Sequence, residues 1–322
     1  MASWTPLHVV TGKGGTGKTT VAAALAIALA GRGQRVLLCE VEGRQGIAQL
    51  FDVPPLPYEE RRVSTGLDGG EVFALAIDPE AALLEYLQMF YRLGRAGKAL
   101  DKFGVIDFAT TIAPGVRDVL LTGKVYEAAR RTGDTGYDAI VMDAPPTGRI
   151  TRFLNVNAEV AGLAKVGPVR RQADSIMEMM RAPSTQVHLV SVLEEMPVQE
   201  TLDGIAELRA ANLPVGRIVL NLVRPALLSP ATAEALTSGT LDDGAVAAAL
   251  GRASLPTAAA DALVGEGLGH LERLTLQDTQ RRIVDAQDTP AVELPALPDG
   301  VDLGAVFDLA QRLRDALVRA DA

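Results

Sequence analysis

The sequence predicts an α/β protein built on a doubly wound, mostly parallel sheet flanked by helices. Three observations predict it. Short, continuously apolar runs recur along the chain, helical patterns separate them, and a glycine-rich segment joins the first run to the first helix. With 48% hydrophobic and 22% charged residues over 322 positions, the chain has the composition of a globular protein able to bury a large core.

Residues 7–10 read as the first strand and residues 19–31 as the helix that follows it. Residues 36–41 form the second run, and the turn-rich stretch 54–57 leads toward a third at 72–77. Helical spacing follows at 81–91 and 115–131, with glycines between them (Gly94, Gly97, Gly104). Residues 139–142, 187–192 and 218–223 read as further strands, alternating with helical patterns at 170–181 and 199–211. These runs are continuous rather than alternating, as expected of strands covered on both faces. Residues 226–288 are rich in Ala, Leu and Gly with helical spacing. A short strand at 292–294, a proline-marked loop (Pro295, Pro298) and a final helix at 303–319 close the chain. The expected organisation is one domain over 1–322, with helical insertions near 79–133, 156–186 and 226–288.

Charge and cysteine content narrow the functional classes. The net charge of −9 opposes a role in coating DNA or anionic lipid, which need clustered positive charge. Nucleic acid is therefore not an expected partner, and membrane contact is expected to be indirect at most. The single cysteine, Cys39, allows no intrachain disulfide and no Cys-x-x-Cys zinc site, so a buried thiol and no zinc are expected. The longest apolar stretch, 21–30, is well short of the ~20 residues of a membrane span. No signal peptide is expected ahead of Gly12, and a cytoplasmic location follows as the expectation.

The chemistry begins at Gly12-Lys13-Gly14-Gly15-Thr16-Gly17-Lys18-Thr19, which satisfies G-x-x-x-x-G-K-[ST] at every fixed position, between a strand and a helix. Such a P-loop NTPase motif works because glycines let main-chain N–H groups converge on phosphate oxygens while the helix adds the positive end of its dipole. Gly14, Gly15, Thr16, Gly17, Lys18, Thr19 and Thr20 are the expected nucleotide contacts. Lys18 is expected on the β- and γ-phosphates, and Thr19 on Mg²⁺. ATP and Mg²⁺ are the expected cofactors. Asp143 ends an apolar run, where a carboxylate can hold Mg²⁺ through water.

Lys13, directly after the first glycine, resembles the signature lysine of deviant Walker A proteins. That resemblance implies a lysine crossing a dimer interface to phosphates bound by the partner. After the second strand comes Glu40-Val41-Glu42-Gly43, and the resemblance narrows to the ArsA/GET group, the arsenite-pump and tail-anchored-protein targeting ATPases. Their usual Asp-Pro-Ala-His stretch places a water-orienting Asp at Glu42, a Pro at Gly43 and a His at Gln45. Two readings of Glu42 stay open: an orienter of the attacking water, or a solvated loop residue with weak hydrolysis. The stretch Asp143-Ala144-Pro145-Pro146-Thr147-Gly148-Arg149-Ile150-Thr151-Arg152-Phe153-Leu154 is similar to the family's second switch, with Arg149 in place of a histidine. Ile77-Asp78-Pro79, Pro114-Gly115 and Glu194-Glu195-Met196-Pro197 with Glu200-Thr201 resemble further family segments. Asn221 falls where the family places an adenine-reading asparagine. Leu294-Pro295-Ala296-Leu297 resembles the loop closing over the base, so Pro295 and Leu297 join the expected nucleotide contacts.

The likeness covers nearly the whole chain, and its limits are informative. A cysteine set for arsenite is impossible with one cysteine, and the 156–186 segment is too short to cover a ~20-residue membrane segment. Its methionines, Met177, Met179 and Met180, read as core. The final helix, with Val306, Leu309, Leu313 and Leu317 on one face and mixed charge on the other, is expected to pack on the domain. Three functions follow. The first is a dimeric ATPase coupling nucleotide-driven closure to an unknown protein client, with Lys13, Lys18 and Glu42 as catalytic residues. The second is a weakly active regulatory subunit in a heterodimer with a related ATPase. The third is a positioning ATPase of the ParA or MinD type, to whose Asp-x-Asp the Glu40-x-Glu42 pair is similar.

Overall fold

The computed structural model describes residues 4–31, 33–91, 114–163, 168–241, 243–298 and 300–320. The glycines Gly94, Gly97 and Gly104 lie outside them. Eight strands form one sheet: β1 (Leu7–Gly12), β2 (Arg35–Glu40), β3 (Arg61–Thr65), β4 (Glu71–Ala76), β5 (Ala139–Asp143), β6 (Thr185–Ser191), β7 (Val215–Val223) and β8 (Ala291–Pro295). Their spatial order is β3-β4-β2-β5-β1-β6-β7-β8. Every neighbouring pair is parallel except β3–β4, which is antiparallel. This is the doubly wound, mostly parallel sheet that the pattern of apolar runs predicts.

Strand alternation divides two cores. On β5, Ile140 and Met142 join one buried cluster, while Val141 joins the other. The first cluster is completed by α4 (Pro114–Ala129), α5 (Thr147–Leu163), α6 (Pro168–Met180) and α7 (Glu195–Ala210). Its fully covered side chains include Phe153, Leu121 and Ile150. Met177, Met179 and Met180 belong to it, so these methionines are core, as expected. The second cluster lies under α1 (Lys18–Leu29), α2 (Gly46–Leu50) and the last helix, α11 (Leu303–Ala320). Along α1, residues 21–28 are all buried, four of them alanines before Ala28, and small side chains let this helix sit between sheet and α11. Val306, Leu309 and Leu313 of α11 face that core, which fixes the final helix on the domain. Leu317 lies among residues whose side chains are outside the description. Each fully buried Leu, Ile or Val contributes about 1.5–3 kcal/mol.

The remaining helices are α3 (Pro79–Tyr91), α8 (Pro230–Thr237), α9 (Asp243–Arg252) and α10 (Ala260–Asp285). The last three occupy the helical stretch expected at 226–288. Among the described residues no helix is long and apolar enough to cross a membrane.

Three elements escape the pattern of apolar runs. β3 is a polar edge strand carrying Arg61 and Arg62, with Arg62 Nε 3.2 Å from the carboxylate of Glu71 on β4. A charged edge needs no apolar run because one face meets water. Helix α2 is a single turn and a half, too short for periodicity. Helix α5 begins inside the second switch, where proline and glycine mask a helical start. Boundaries also move: β2 begins at Arg35 and ends at Glu40, one residue ahead of the run at 36–41, so Val41 belongs to the following loop.

Candidate nucleotide site

All strands but the edge strand β3 run parallel, so the loops that follow β1, β2, β5 and β7 emerge at one end of the sheet. Chain order reverses around β1, which lies between β5 and β6, and such a switch point opens a crevice beyond the strand ends. The glycine-rich loop fills that position. Its conformation depends on Gly15 (φ 88) and Gly17 (φ 85), both left-handed. A side chain at Gly17 would also collide with the amide of Asn221. Thr16 closes the loop on itself: its Oγ1 donates to the Lys13 carbonyl at 2.8 Å.

Asn221 braces the loop from below. It is buried, and its Nδ2 donates to the Thr16 carbonyl at 2.9 Å. A register break between Leu220 and Val223, with Leu222 left-handed (φ 57), turns this part of β7. Beside it, Pro295 pairs with Val223, and the Ala296 N–H donates to the Val223 carbonyl at 2.9 Å. Leu297 packs on the α1-side core. The structure therefore brings Asn221, Pro295 and the loop to the same end of the sheet.

Lys18 begins α1, is only 8% exposed, and makes no hydrogen bond or ion pair among the described residues. Thr19 follows, its Oγ1 donating to Asp143 Oδ2 at 2.7 Å. Thr20 is partly buried on the next position of the helix. Asp143 is 8% exposed, and burial pushes its carboxyl up to about 6. The Thr19 hydrogen bond and Lys18 oppose that rise, whereas Glu40 and Glu42 add to it. A hydroxyl and a carboxylate meeting at the foot of a phosphate loop are hard oxygen donors. Donors of this kind suit a small hard cation such as Mg²⁺.

The loop after β2 leaves from Glu40, for which the sequence offered only the Glu40-x-Glu42 pairing and no role in the fold. Glu40 is 2% exposed and pairs in register with Asp143 on the neighbouring strand. Its Oε1 accepts the Gln45 N–H at 2.5 Å and its Oε2 the Ile47 N–H at 3.2 Å. Gln45 in turn clips Leu56, donating from Nε2 to its carbonyl at 3.2 Å and accepting its N–H at 2.7 Å. Gln45 thus ties the loop to the 54–57 connector. An acid closing an otherwise apolar strand is the signal that marks Glu40 in the sequence. Glu42 is only partly exposed and lies 3.7 Å from Arg44 Nη2.

The second switch is tethered at its start. Ala144 N–H donates to the Val10 carbonyl, and Thr11 Oγ1 donates to the Pro145 carbonyl at 2.7 Å. The Thr147 hydroxyl is buried without a partner among the described residues, and Gly148 is exposed. Arg149, Arg117 and Arg152 face the Asp118 carboxyl, opposing the rise that burial imposes on it. At the outer end of the loop, Lys13 Nζ lies 3.8 Å from Glu200 Oε2 of the same chain, both about one-third exposed. Glu200 stands on α7, whose first turn exposes Met196.

The family model described as anion-transporting ATPase matches residues 6–184. The chain is 52% identical over 318 residues to the ATPase BagA of Mycobacterium tuberculosis, covering 97% of this chain and 94% of that one. It is 26% identical to an arsenical pump-driving ATPase of Acidiphilium multivorum, covering 97% of this chain and 55% of the relative. The chain thus spans about half of that pump ATPase. It is also 26% identical to ATPase get3 of Schizosaccharomyces japonicus, over 69% of this chain and 75% of the relative.

Proposed function

The chain belongs to the anion-transporting ATPase family, and on that premise we propose that it is a dimeric, Mg²⁺-dependent ATPase whose nucleotide-driven closure acts on a protein client or partner. The observation that carries this reading is the phosphate loop with Lys18 buried and unpaired behind it and Thr19 joined to Asp143 at its foot. A cation at the start of α1, beside the main-chain amides of the loop, suits a multiply charged anion, and a triphosphate is that anion.

The residues divide the work. Main-chain N–H groups of Gly14, Gly15, Thr16 and Gly17 hold the β-phosphate end, Lys18 neutralises the transferring phosphoryl group, and Thr19 with Asp143 holds Mg²⁺. When bound there, Mg²⁺ would supply positive charge against the triphosphate, with Thr19 and Asp143 the residues to hold it. Glu42 orients the attacking water, and Lys13 supplies positive charge across the dimer. Asn221, with Pro295 and Leu297 beyond it, lines the base end. The Asn221 amide has a further N–H and an oxygen for an adenine edge beyond the bond it spends on Thr16.

Turnover of ATP by the purified protein tests this. Lys18→Ala is expected to abolish both nucleotide binding and turnover. Glu42→Gln is expected to lower kcat about 100-fold with binding retained. Undiminished hydrolysis in Lys18→Ala rejects the reading. The mass of the ATP-trapped complex distinguishes a homodimer from a heterodimer with a related ATPase.

A further inference from the structure

We propose that Glu40 is the positioning residue of this site: its buried carboxylate anchors the 41–47 loop against Thr19 and so aims Glu42. The inference rests on the hydrolytic reading of Glu42 given above, and it adds a residue that acts through another without touching nucleotide.

The geometry supports it from both sides. Glu40 ends β2, in register with Asp143, so both side chains lie on the α1 face of the sheet. Its two oxygens take the N–H groups of Gln45 and Ile47, which flank Gly46. Gly46 rests on the metal-binding threonine: a Cβ placed there would sit 3.2 Å from Thr19 Cγ2. The far side of the loop is held by the two hydrogen bonds between the Gln45 amide and Leu56, with Gln45 itself left-handed (φ 58). Glu42 therefore lies on a span of chain pinned at the end of β2 and again at Gln45.

The chemistry calls for an acid. Both groups that meet Glu40 are N–H donors, and a carboxylate accepts from both. Glutamine at this position has one accepting oxygen, and its NH₂ would face a donor. Glu40 has no ion-pair partner among the described residues, so these two charge-assisted bonds are what offset its burial. A residue needed only to fill space at a strand end would be apolar, as Val41 beside it is.

Steady-state ATP hydrolysis, with ATP titration, tests the idea on the full chain. Glu40→Gln is expected to lower kcat about tenfold or more while KM for ATP stays within about twofold, because the phosphate loop is a separate element. In a Glu42→Gln background the same change is expected to cause no further loss of the residual rate, since residues that act as a unit are not additive. Gln45→Gly, which releases the loop at its other anchor and relieves the left-handed backbone, is expected to lower kcat likewise. It decides alone where Glu40→Gln does not fold. Additive losses in the double variant, unchanged kcat in folded variants, or a raised KM at unchanged kcat each overturn the proposal. Amide hydrogen exchange of residues 41–47 separates this inference from the reading beneath it. Faster exchange in Glu40→Gln supports the anchor even where wild-type turnover is absent and the hydrolytic reading has failed. Unchanged exchange overturns the anchor whatever the turnover.

Discussion

Asp143 shows how one residue is set against itself. Burial raises its carboxyl to about 6, above the ordinary value near 3.8, so the folded protein prefers the protonated form. The stability this contributes is fully present below pH ~3.8 and is lost as pH rises through about 6. At neutral pH the charged side chain therefore costs the nucleotide-free protein about 2–3 kcal/mol. Asp143→Asn keeps an oxygen for the Thr19 hydroxyl and removes that charge. Chemical denaturation at pH 7.5 is expected to find the nucleotide-free variant more stable than wild type by about 2 kcal/mol. The same variant is expected to gain no thermal protection from Mg²⁺ beyond that of ATP alone. A variant less stable than wild type would show that the carboxylate is favoured where it stands. A buried carboxylate held at a cost is the expected pattern where function and stability compete.

At the scale of elements, the contact between β1 and β6 holds a titratable pair in the middle of the sheet. His8 and His188 stack with ring centroids 5.3 Å apart and share a 3.0 Å contact between Nδ1 and Nε2. The Arg217 N–H donates to His188 Nδ1 at 3.1 Å. His188 therefore carries its proton on Nε2 and donates to His8 Nδ1. Burial holds both rings neutral, lowering His8 to about 4 and His188 to about 3, the latter helped by His8 and Arg217. The unfolded chain takes up protons below about 6.5, so stability from this pair is present above that pH. It is lost as pH falls toward 4, at up to about 1.4 kcal/mol per pH unit for each ring. Replacing both histidines by leucine is expected to flatten the fall in unfolding free energy between pH 6.5 and 4.5, whatever it does to absolute stability. An unchanged slope would place the acid sensitivity elsewhere. The neighbouring pair β2–β5 uses the same device for another end: register sets Glu40 beside Asp143, and the loop anchor follows from that pairing.

For the whole molecule, Lys13 stands at the outer end of the phosphate loop against Glu200. Its contact with Glu200 is long, at 3.8 Å, and about one-third exposed, so it is worth less than about 1 kcal/mol. In the proposed dimer, a partner's triphosphate would outcompete so weak a pair. Light scattering of Glu42→Gln with ATP and Mg²⁺ is expected to show a dimer, and adding Lys13→Ala is expected to return it to monomer. Dimers that persist without Lys13 would remove it from the interface.

The nucleotide loop, the α/β class and the strands buried on both faces were all readable from the chain. Each is a local matter: glycine spacing, a lysine after glycine, or short continuous apolar runs bounded by turn signals. Asp143 was legible for the same reason, as an acid that ends an apolar run. The polar strand β3 and the short α2 were not, because neither has a periodicity of its own; β3 exists through its pairing with β4. Nor could the sequence say that Asn221 braces Thr16, or that Glu40 anchors Gln45 and Ile47, since those bonds join groups that only the sheet and its loops bring together. Local chain chemistry determined what this protein can bind. Tertiary packing decided which buried polar groups hold that binding surface in shape, because a hydrogen bond in a dry interior forms only where the fold delivers both partners.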